Sequence, residues 1–288
     1  MSEAGRRLGT KEIFDGPDGP LSYYRSGSGT PLVLVHSLAL SARMWADIAG
    51  EFAAAHEVLA LSLRGHGESS WSGEDFSVED LTGDVLALLD HRGIERAHVL
   101  GLSMGGSVAL TLAGLAPARV ERLVLCDTTA WYGPEAPAAW RERAAQAAGR
   151  PRYQQIGFQV DRWFTTTFRA QHPEVVNHVT GIFLSTTPAV HAAACRALGT
   201  MDSRGLLPAI TASTLVITGR EDQATPPSMG ETIAACVPGA TMVLAPAKHF
   251  AILESHGLRS TVLAHLAGAA PLALGEAALT DGCCRAVA

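Results

Sequence analysis

Short apolar runs alternate with helix-like patterns along most of this chain. Six runs of seven or eight residues are rich in Val, Leu and Ile and are flanked by Gly, Pro or polar residues; they span 31–37, 56–63, 96–103, 120–127, 213–219 and 240–246. Several are apolar at consecutive positions, as expected for parallel strands that are covered by helices on both faces. With right-handed crossovers, the pattern predicts an α/β fold with a mostly parallel, doubly wound sheet.

The segment 77–93 shows the clearest helix signals. Ser77 fits an N-cap, Asp80 follows three residues later, apolar residues recur at helical spacing, and Gly93 ends the pattern. Helical patterns also occupy 104–117, 227–239 and 249–268, so helices alternate with the predicted strands.

One region interrupts this alternation. Residues 131–205 contain no good strand pattern but several helical patterns that are rich in aromatic residues. We expect a helical cap over the carboxyl edge of the sheet, where ligands of such sheets bind. The alternative is a set of extra crossover helices that roof nothing. The predicted division is an α/β core in 1–130 and 206–268, a cap in 131–205, and a tail in 269–288.

Composition narrows the class of protein. The chain has 288 residues, of which 47% are hydrophobic and 17% charged, which fits one large, well-cored domain that carries an insertion. The net charge of −6 and the lack of a basic run argue against a nucleic-acid partner. The five cysteines show no disulfide or metal spacing, and no segment is apolar enough for a leader or a membrane span. We therefore expect a cytoplasmic location without membrane or metal; oligomeric state stays open.

A Gly-x-Ser-x-Gly motif joins the third predicted strand to a predicted helix. It spans residues 101–105 and centres on Ser103. At such a junction the motif indicates a nucleophile elbow, in which a sharp turn presents the serine hydroxyl above the sheet. The N–H of Met104, at the start of the helix, is then suited to stabilise an oxyanion.

A nucleophilic serine needs a base and an acid, which in this fold follow it in the order acid, then His. His249 lies after the last predicted strand and opens the final helix, so a loop can bring its imidazole over Ser103. Two carboxylates compete for the role of acid. Asp222 follows the fifth predicted strand in a Gly-x-Glu-Asp-x-x-x-Pro pattern, the commoner place for it, and Asp127 follows the fourth.

The loops after the first two predicted strands suggest further roles. The N–H of Leu38 is the expected second oxyanion donor, and His36 is expected to hold its loop by hydrogen bonds. Arg64 and His66 are interpreted as residues that structure the next turn. Candidate substrate contacts are Trp131, Trp163 and Arg43. Arg43, Arg162 and Arg169 are candidates to bind a substrate carboxylate, and the alternative for each is an ordinary surface charge.

With these motifs assembled, residues 20–268 resemble the α/β-hydrolase superfamily, and within it the 3-oxoadipate enol-lactonases. The matching stretches are 35–45, 63–70, 76–106, 117–130, 163–176, 193–227 and 248–254. Stretches in the predicted cap are the informative ones, because caps differ between subfamilies whereas the other motifs give only the superfamily.

The resemblance implies a carboxylic ester hydrolase that opens 3-oxoadipate enol-lactone to 3-oxoadipate in the catabolism of protocatechuate or catechol. It implies Ser103, Asp222 and His249 as the catalytic triad and Leu38 and Met104 as oxyanion donors. It also implies a small lactone or ester as the substrate, with no cofactor and no metal.

Two departures from that family keep other substrates open. Ala39 stands where the family usually has Gly, and Trp131 and Tyr132 stand where smaller or basic residues are expected at the cap entrance. Alternatives are a carboxylesterase or lactonase for a bulkier substrate, a C–C bond hydrolase of a ring-fission product, and a non-catalytic hydrolase-fold receptor. Haloalkane dehalogenase and epoxide hydrolase chemistry is excluded, because both need Asp in place of Ser103.

Overall fold

An eight-stranded sheet forms the centre of the fold in the computed structural model, which describes residues 8–269. All but the first residue of the predicted tail lies outside the described residues. The strands are β1 (Thr10–Gly16), β2 (Gly19–Ser26), β3 (Thr30–Val35), β4 (His56–Leu61), β5 (Ala97–Leu102), β6 (Val120–Cys126), β7 (Ser213–Gly219) and β8 (Thr241–Ala245). Their order across the sheet is β1-β2-β4-β3-β5-β6-β7-β8.

The six predicted runs form β3 to β8, and all pairs among these strands are parallel. The predicted fold class is therefore confirmed. The hairpin of β1 and β2 was not predicted. It pairs antiparallel with β4 at one edge, and most of β1 is exposed, with only Phe14 buried. Polar residues interrupt the apolar ones in both strands, so neither shows the apolar runs that predict β3 to β8.

The core of the fold contains helices that precede and follow Ser103 in the sequence. The helices of the core are α1 (Ala49–Ala53), α2 (Val78–His91), α3 (Met104–Leu115), α9 (Pro227–Cys236), α10 (Ala251–Glu254) and α11 (His256–Leu266). The predicted N-cap of α2 is confirmed, since the hydroxyl of Ser77 accepts from the N–H of Asp80 and the Asp80 carboxylate accepts from the N–H of Ser77. The final helical pattern is divided at Ser255, whose hydroxyl caps α11.

Five more helices lie between β6 and β7, in the segment predicted to be a cap. They are α4 (Ala136–Gly149), α5 (Arg152–Trp163), α6 (Thr166–Gln171), α7 (Pro173–Ser185) and α8 (Pro188–Thr200). Helix α4 packs along α8, and α5 and α6 both pack on α7. The Thr186 hydroxyl, just after α7, donates to the carbonyl of Ala39 over 2.8 Å. This bond ties the helical segment to the loop that follows β3.

A buried ion pair fixes the turn that follows β4. The guanidinium of Arg64 donates through Nε and Nη2 to the carboxylate of Asp84 in α2, with a shortest distance of 2.6 Å, and the Arg64 N–H donates to the same carboxylate. His66 stays in the turn through a 3.0 Å bond between its Nδ1 and the Arg64 carbonyl. Both residues therefore structure the turn, as the sequence predicts. Within residues 8–269, no helix is sufficiently long and apolar to cross a membrane.

We expect Asp84→Ala to lower the free energy of unfolding by about 3–5 kcal/mol, because it leaves the Arg64 charge buried and unpaired. Urea denaturation measures this loss. The matched control is Asp90→Ala in the same helix: Asp90 is 67% exposed and pairs with Arg119, so its loss should stay below about 1 kcal/mol. Equal losses for the two variants would contradict the assignment of Arg64 and Asp84 as a stabilising pair.

Candidate active site

Ser103 occupies a strained turn between β5 and α3. Its φ of 57° lies in the left-handed region, which residues with a side chain rarely adopt. Hydrogen bonds hold the turn: the Ser103 N–H donates to the Cys126 carbonyl over 2.9 Å, and the Ser103 carbonyl accepts from the Thr128 hydroxyl over 2.7 Å. The surrounding backbone thus keeps the serine in a conformation that it would not choose alone.

The glycines of the motif are required by close backbone contacts. A Cβ added to Gly101 would lie 2.1 Å from the carbonyl oxygen of Gly105, and one added to Gly105 would lie 2.2 Å from that of Val35. Strand β5, helix α3 and the end of β3 therefore approach each other closely enough to exclude any side chain at these two positions.

The structure brings Ser103, His249 and Asp222 together in one hydrogen-bonded chain. The Ser103 Oγ lies 2.8 Å from His249 Nε2, and His249 Nδ1 lies 2.8 Å from an oxygen of Asp222. A carboxylate only accepts, so Nδ1 carries the ring proton and Nε2 is left to accept from the serine hydroxyl. This arrangement lets His249 act as the base for Ser103.

Asp222 is held as a charged group. Burial raises the pKa of its carboxyl, but the imidazole of His249 and the hydroxyl and N–H of Thr225 more than offset this effect, so the pKa lies below its ordinary value. The hydroxyl of Thr225 donates over 2.8 Å and the N–H of Ala224 over 2.7 Å. The carboxylate is therefore ionised when it faces His249.

The competing acid, Asp127, has other partners. Its carboxylate accepts from the N–H groups of Gly219 (2.8 Å) and Ala251 (3.0 Å). Burial and the nearby charge of Asp222 raise its pKa well above the ordinary value. Asp127 thus braces the end of β7 against the start of α10, the elements that flank Asp222 and His249, and the structure does not bring it to the imidazole.

The predicted oxyanion donors, the N–H groups of Leu38 and Met104, belong to residues near Ser103. Leu38 lines a cavity with Ser103, and Met104 begins α3 directly after it. In the described part of the chain, neither N–H donates a hydrogen bond to another protein group. Their role as an oxyanion hole stays a prediction.

Hydrogen bonds from several sides fix the loop that carries Leu38. His36 stays neutral, because burial lowers its pKa to about 3; its Nδ1 donates to the Ser37 carbonyl and its Nε2 accepts from the N–H of Leu63. Ala39, which follows Leu38, has a φ of 57°, a conformation that costs a residue with a side chain about 1–2 kcal/mol. Gly adopts this conformation without that cost, and the bond from Thr186 helps to hold Ala39 in it.

A narrow cavity above Ser103 and His249 is walled by side chains from the segment between β6 and β7. These lining residues are Tyr132, Trp140, Arg143, Gln159, Arg162, Trp163, Phe183, His191 and Leu198. Of the predicted substrate contacts, Trp163 and Arg162 are brought to the cavity. Tyr132, noted in the sequence at the cap entrance, also lines the cavity. Arg143 and His191 were missed, because nothing in a helical pattern tells which face will meet a distant active site.

Trp131, Arg43 and Arg169 lie outside this cavity, which corrects the expectation that they contact substrate there. The Arg204 guanidinium covers the Trp131 ring at 3.6 Å from its centroid. Arg43 is exposed on a short 3₁₀ helix, where its carbonyl accepts from His178. Arg169 pairs with Asp161 over 3.2 Å.

Positive charge accumulates at the cavity wall. Among residues 8–269, no Asp or Glu forms an ion pair with Arg143 or Arg162, both of which line the cavity. Burial and the charge of Arg143 lower the pKa of Arg162. The wall opposite the core therefore favours anionic ligands.

Comparisons with known proteins agree with this site. The family model described as the alpha/beta hydrolase fold matches residues 30–256. The chain belongs to this alpha/beta hydrolase family.

Individual proteins similar to this chain include lactonases and an esterase. A 3-oxoadipate enol-lactonase from Acinetobacter baylyi is 30% identical over 246 residues, which cover 85% of this chain and 91% of that protein. The crystal structure of an enol-lactonase from Burkholderia xenovorans superposes with a TM-score of 0.84 at 32% identity, covering 89% of this chain and all of that one. A thermophilic esterase from Thermogutta terrifontis, solved with malate bound, gives 0.82 at 28% identity over 90% of this chain and 98% of its own. This alpha/beta hydrolase is thus related to both lactonases and esterases.

We expect Gly105→Ala to lower serine-dependent ester hydrolysis roughly a hundredfold, because the new methyl group must push α3 away from β3 and displace Ser103. Hydrolysis of a nitrophenyl ester measures the effect. Gly83→Ala in α2 is the matched control. A Cβ there meets nothing within 4 Å, so it should leave activity unchanged and raise stability by about 1 kcal/mol or less. Equal activity of the two variants would refute the steric argument.

Proposed function

We propose that the protein is a serine hydrolase that opens a lactone or ester bond, with 3-oxoadipate enol-lactone as its substrate and 3-oxoadipate as its product. The observation that carries this proposal is the hydrogen-bonded chain of Ser103, His249 and Asp222 at the floor of the cavity. The relation to 3-oxoadipate enol-lactonase along 91% of that protein supports the choice of substrate.

The chemistry proceeds in two steps. His249 Nε2 takes the proton of Ser103 as its Oγ attacks the lactone carbonyl, and the N–H groups of Leu38 and Met104 bind the oxyanion. The ring C–O bond then breaks, the enolate leaves with a proton from His249, and it tautomerises to the ketone. Water, deprotonated by His249, cleaves the acyl-enzyme and restores Ser103. Direct attack by a water activated by His249 is an alternative route to the same product.

The charge of the cavity supports a substrate that carries a carboxylate. Arg143 and Arg162 line it without an acidic partner among the described residues, and an arginine is well suited to bind a carboxylate. Malate, the molecule bound in the related thermophilic esterase, is itself a dicarboxylic acid. A small anionic lactone fits both observations.

The aromatic wall favours a second candidate, a carboxylesterase or lactonase for a different acyl group. Tyr132, Trp140, Trp163 and Phe183 all line the cavity, and aromatic side chains offer apolar contact area for larger groups. The similarity to an esterase at 28% identity agrees with this candidate.

The first experiment follows the ultraviolet loss of 3-oxoadipate enol-lactone, generated in situ, with wild type beside Ser103→Ala. We expect fast turnover by wild type and a loss of at least about 10⁴-fold in the variant, because the nucleophile is removed. Unchanged thermal unfolding of the variant is the control. Serine-dependent hydrolysis of a nitrophenyl ester without lactone turnover would overturn the lactone and support the second candidate.

A second experiment separates the two buried carboxylates. We expect Asp222→Asn to lower kcat on the order of 10⁴-fold at unchanged stability, because the amide no longer holds His249 in the required tautomer. Asp127→Asn should keep most of the activity and lower the free energy of unfolding by about 1–3 kcal/mol, because its amide group faces a backbone N–H. Steady-state kinetics and urea denaturation of both variants measure this, and a larger kcat loss for Asp127→Asn would reverse the assignment of the acid.

A further inference from the structure

His191 is a buried polar residue of α8 that the proposed chemistry does not use. Its side chain lines the cavity that also contains Ser103 and His249, yet the residue is only 1% exposed. Its Nδ1 lies 2.5 Å from Nη1 of Arg152. Its Nε2 is buried and has no hydrogen-bond partner among the described residues.

The contact with Arg152 fixes the protonation of the imidazole. A guanidinium has donors only, so His191 Nδ1 must accept the bond and the ring proton must reside on Nε2. His191 is therefore held as a neutral donor and is unsuited to act as a base. Buried donors without an acceptor are rare in folded proteins, so an acceptor from a ligand is the natural partner of this N–H.

The positive charge of Arg152 next to His191 favours an anionic acceptor for the His191 N–H. Arg152 is buried, stacks over the Phe183 ring at 3.7 Å from the centroid, and donates to the Phe183 carbonyl. Within residues 8–269, no carboxylate forms an ion pair with it. Burial lowers its pKa only to about 10, so the guanidinium remains charged at neutral pH. Its field polarises the His191 N–H toward an anionic oxygen.

We propose that His191 Nε2–H, oriented and polarised by Arg152, binds the carboxylate of the substrate and so determines preference for acidic over neutral acyl groups. This inference rests on the proposed function, because it places a second recognition point in the same cavity. Arg143 also lines the cavity and adds positive charge to it.

Two nitrophenyl esters test the proposal: mono-4-nitrophenyl succinate, which carries a carboxylate, and 4-nitrophenyl acetate, which does not. We expect His191→Leu to raise KM for the succinate ester roughly 10- to 100-fold, the effect of one hydrogen bond to a charged group. Its kcat for that ester and both constants for the acetate should stay within about twofold. His191→Gln should restore most of the preference, because its amide can accept from Arg152 and donate to the ligand.

His98→Leu is the matched control. His98 is also a buried histidine with an unpartnered Nδ1, but it lies near the start of β5 and does not line the cavity. We expect its KM for both esters to match the wild type. An equal KM increase in this variant would assign the effect of His191→Leu to general loosening of the core and overturn the proposal.

A binding measurement separates this proposal from the proposed function. Titrating succinate into ¹⁵N-histidine-labelled Ser103→Ala should shift one buried Nε2–H signal, which disappears in the double variant with His191→Gln. This titration does not require catalytic turnover, and it does not depend on whether His191→Leu folds. Succinate binding through His191 without serine-dependent hydrolysis would refute the proposed function alone. Serine-dependent hydrolysis with an unchanged ester preference in His191→Leu, or a His191 signal with the proton on Nδ1, would refute this inference alone.

Discussion

The close approach of β5, α3 and β3 is the constraint on which the site depends. A Cβ added to Gly101 or Gly105 would lie only about 2 Å from a backbone oxygen. A side chain at either position would therefore push the helix away from the sheet and displace Ser103. The same approach joins two parts of the site, because β3 ends at Val35 and the loop with Leu38 follows directly. Backbone contact thus positions the nucleophile beside the expected oxyanion donors before any side chain takes part.

The two buried carboxylates, Asp222 and Asp127, have different roles. Asp222 and Asp127 influence each other's ionisation, and their pKa values move in opposite directions. The imidazole of His249 keeps the first charged, whereas two backbone N–H groups hold the second. One carboxylate therefore orients the His249 imidazole, and the other joins the elements that carry Asp222 and His249. Such a separation of pKa values is typical of paired carboxylates in active sites.

The parts that could be predicted from the sequence are those whose signal is local. The six predicted strands contain runs of consecutive apolar residues, and Ser103, Asp222 and His249 each follow a strand, so their place at one sheet edge is implied by topology. The hairpin of β1 and β2 was missed because polar residues interrupt the apolar ones in both strands. Arg143 and His191 were missed for a different reason: they meet only because α4 packs along α8, and helical periodicity does not specify which helices pair.

The cavity therefore has two walls with different origins and different charges. The core supplies Ser103 and His249, with the ionised Asp222 behind the imidazole, whereas the helices between β6 and β7 supply Arg143 and Arg162. A substrate with a reactive carbonyl at one end and a carboxylate at the other is oriented across such a cavity by electrostatics alone. Because the two walls come from different segments, a change in the helices can alter which acyl group binds while the core keeps the same reaction. Reaction class and substrate preference are thus separable in this fold, and only the first follows from motifs near the serine.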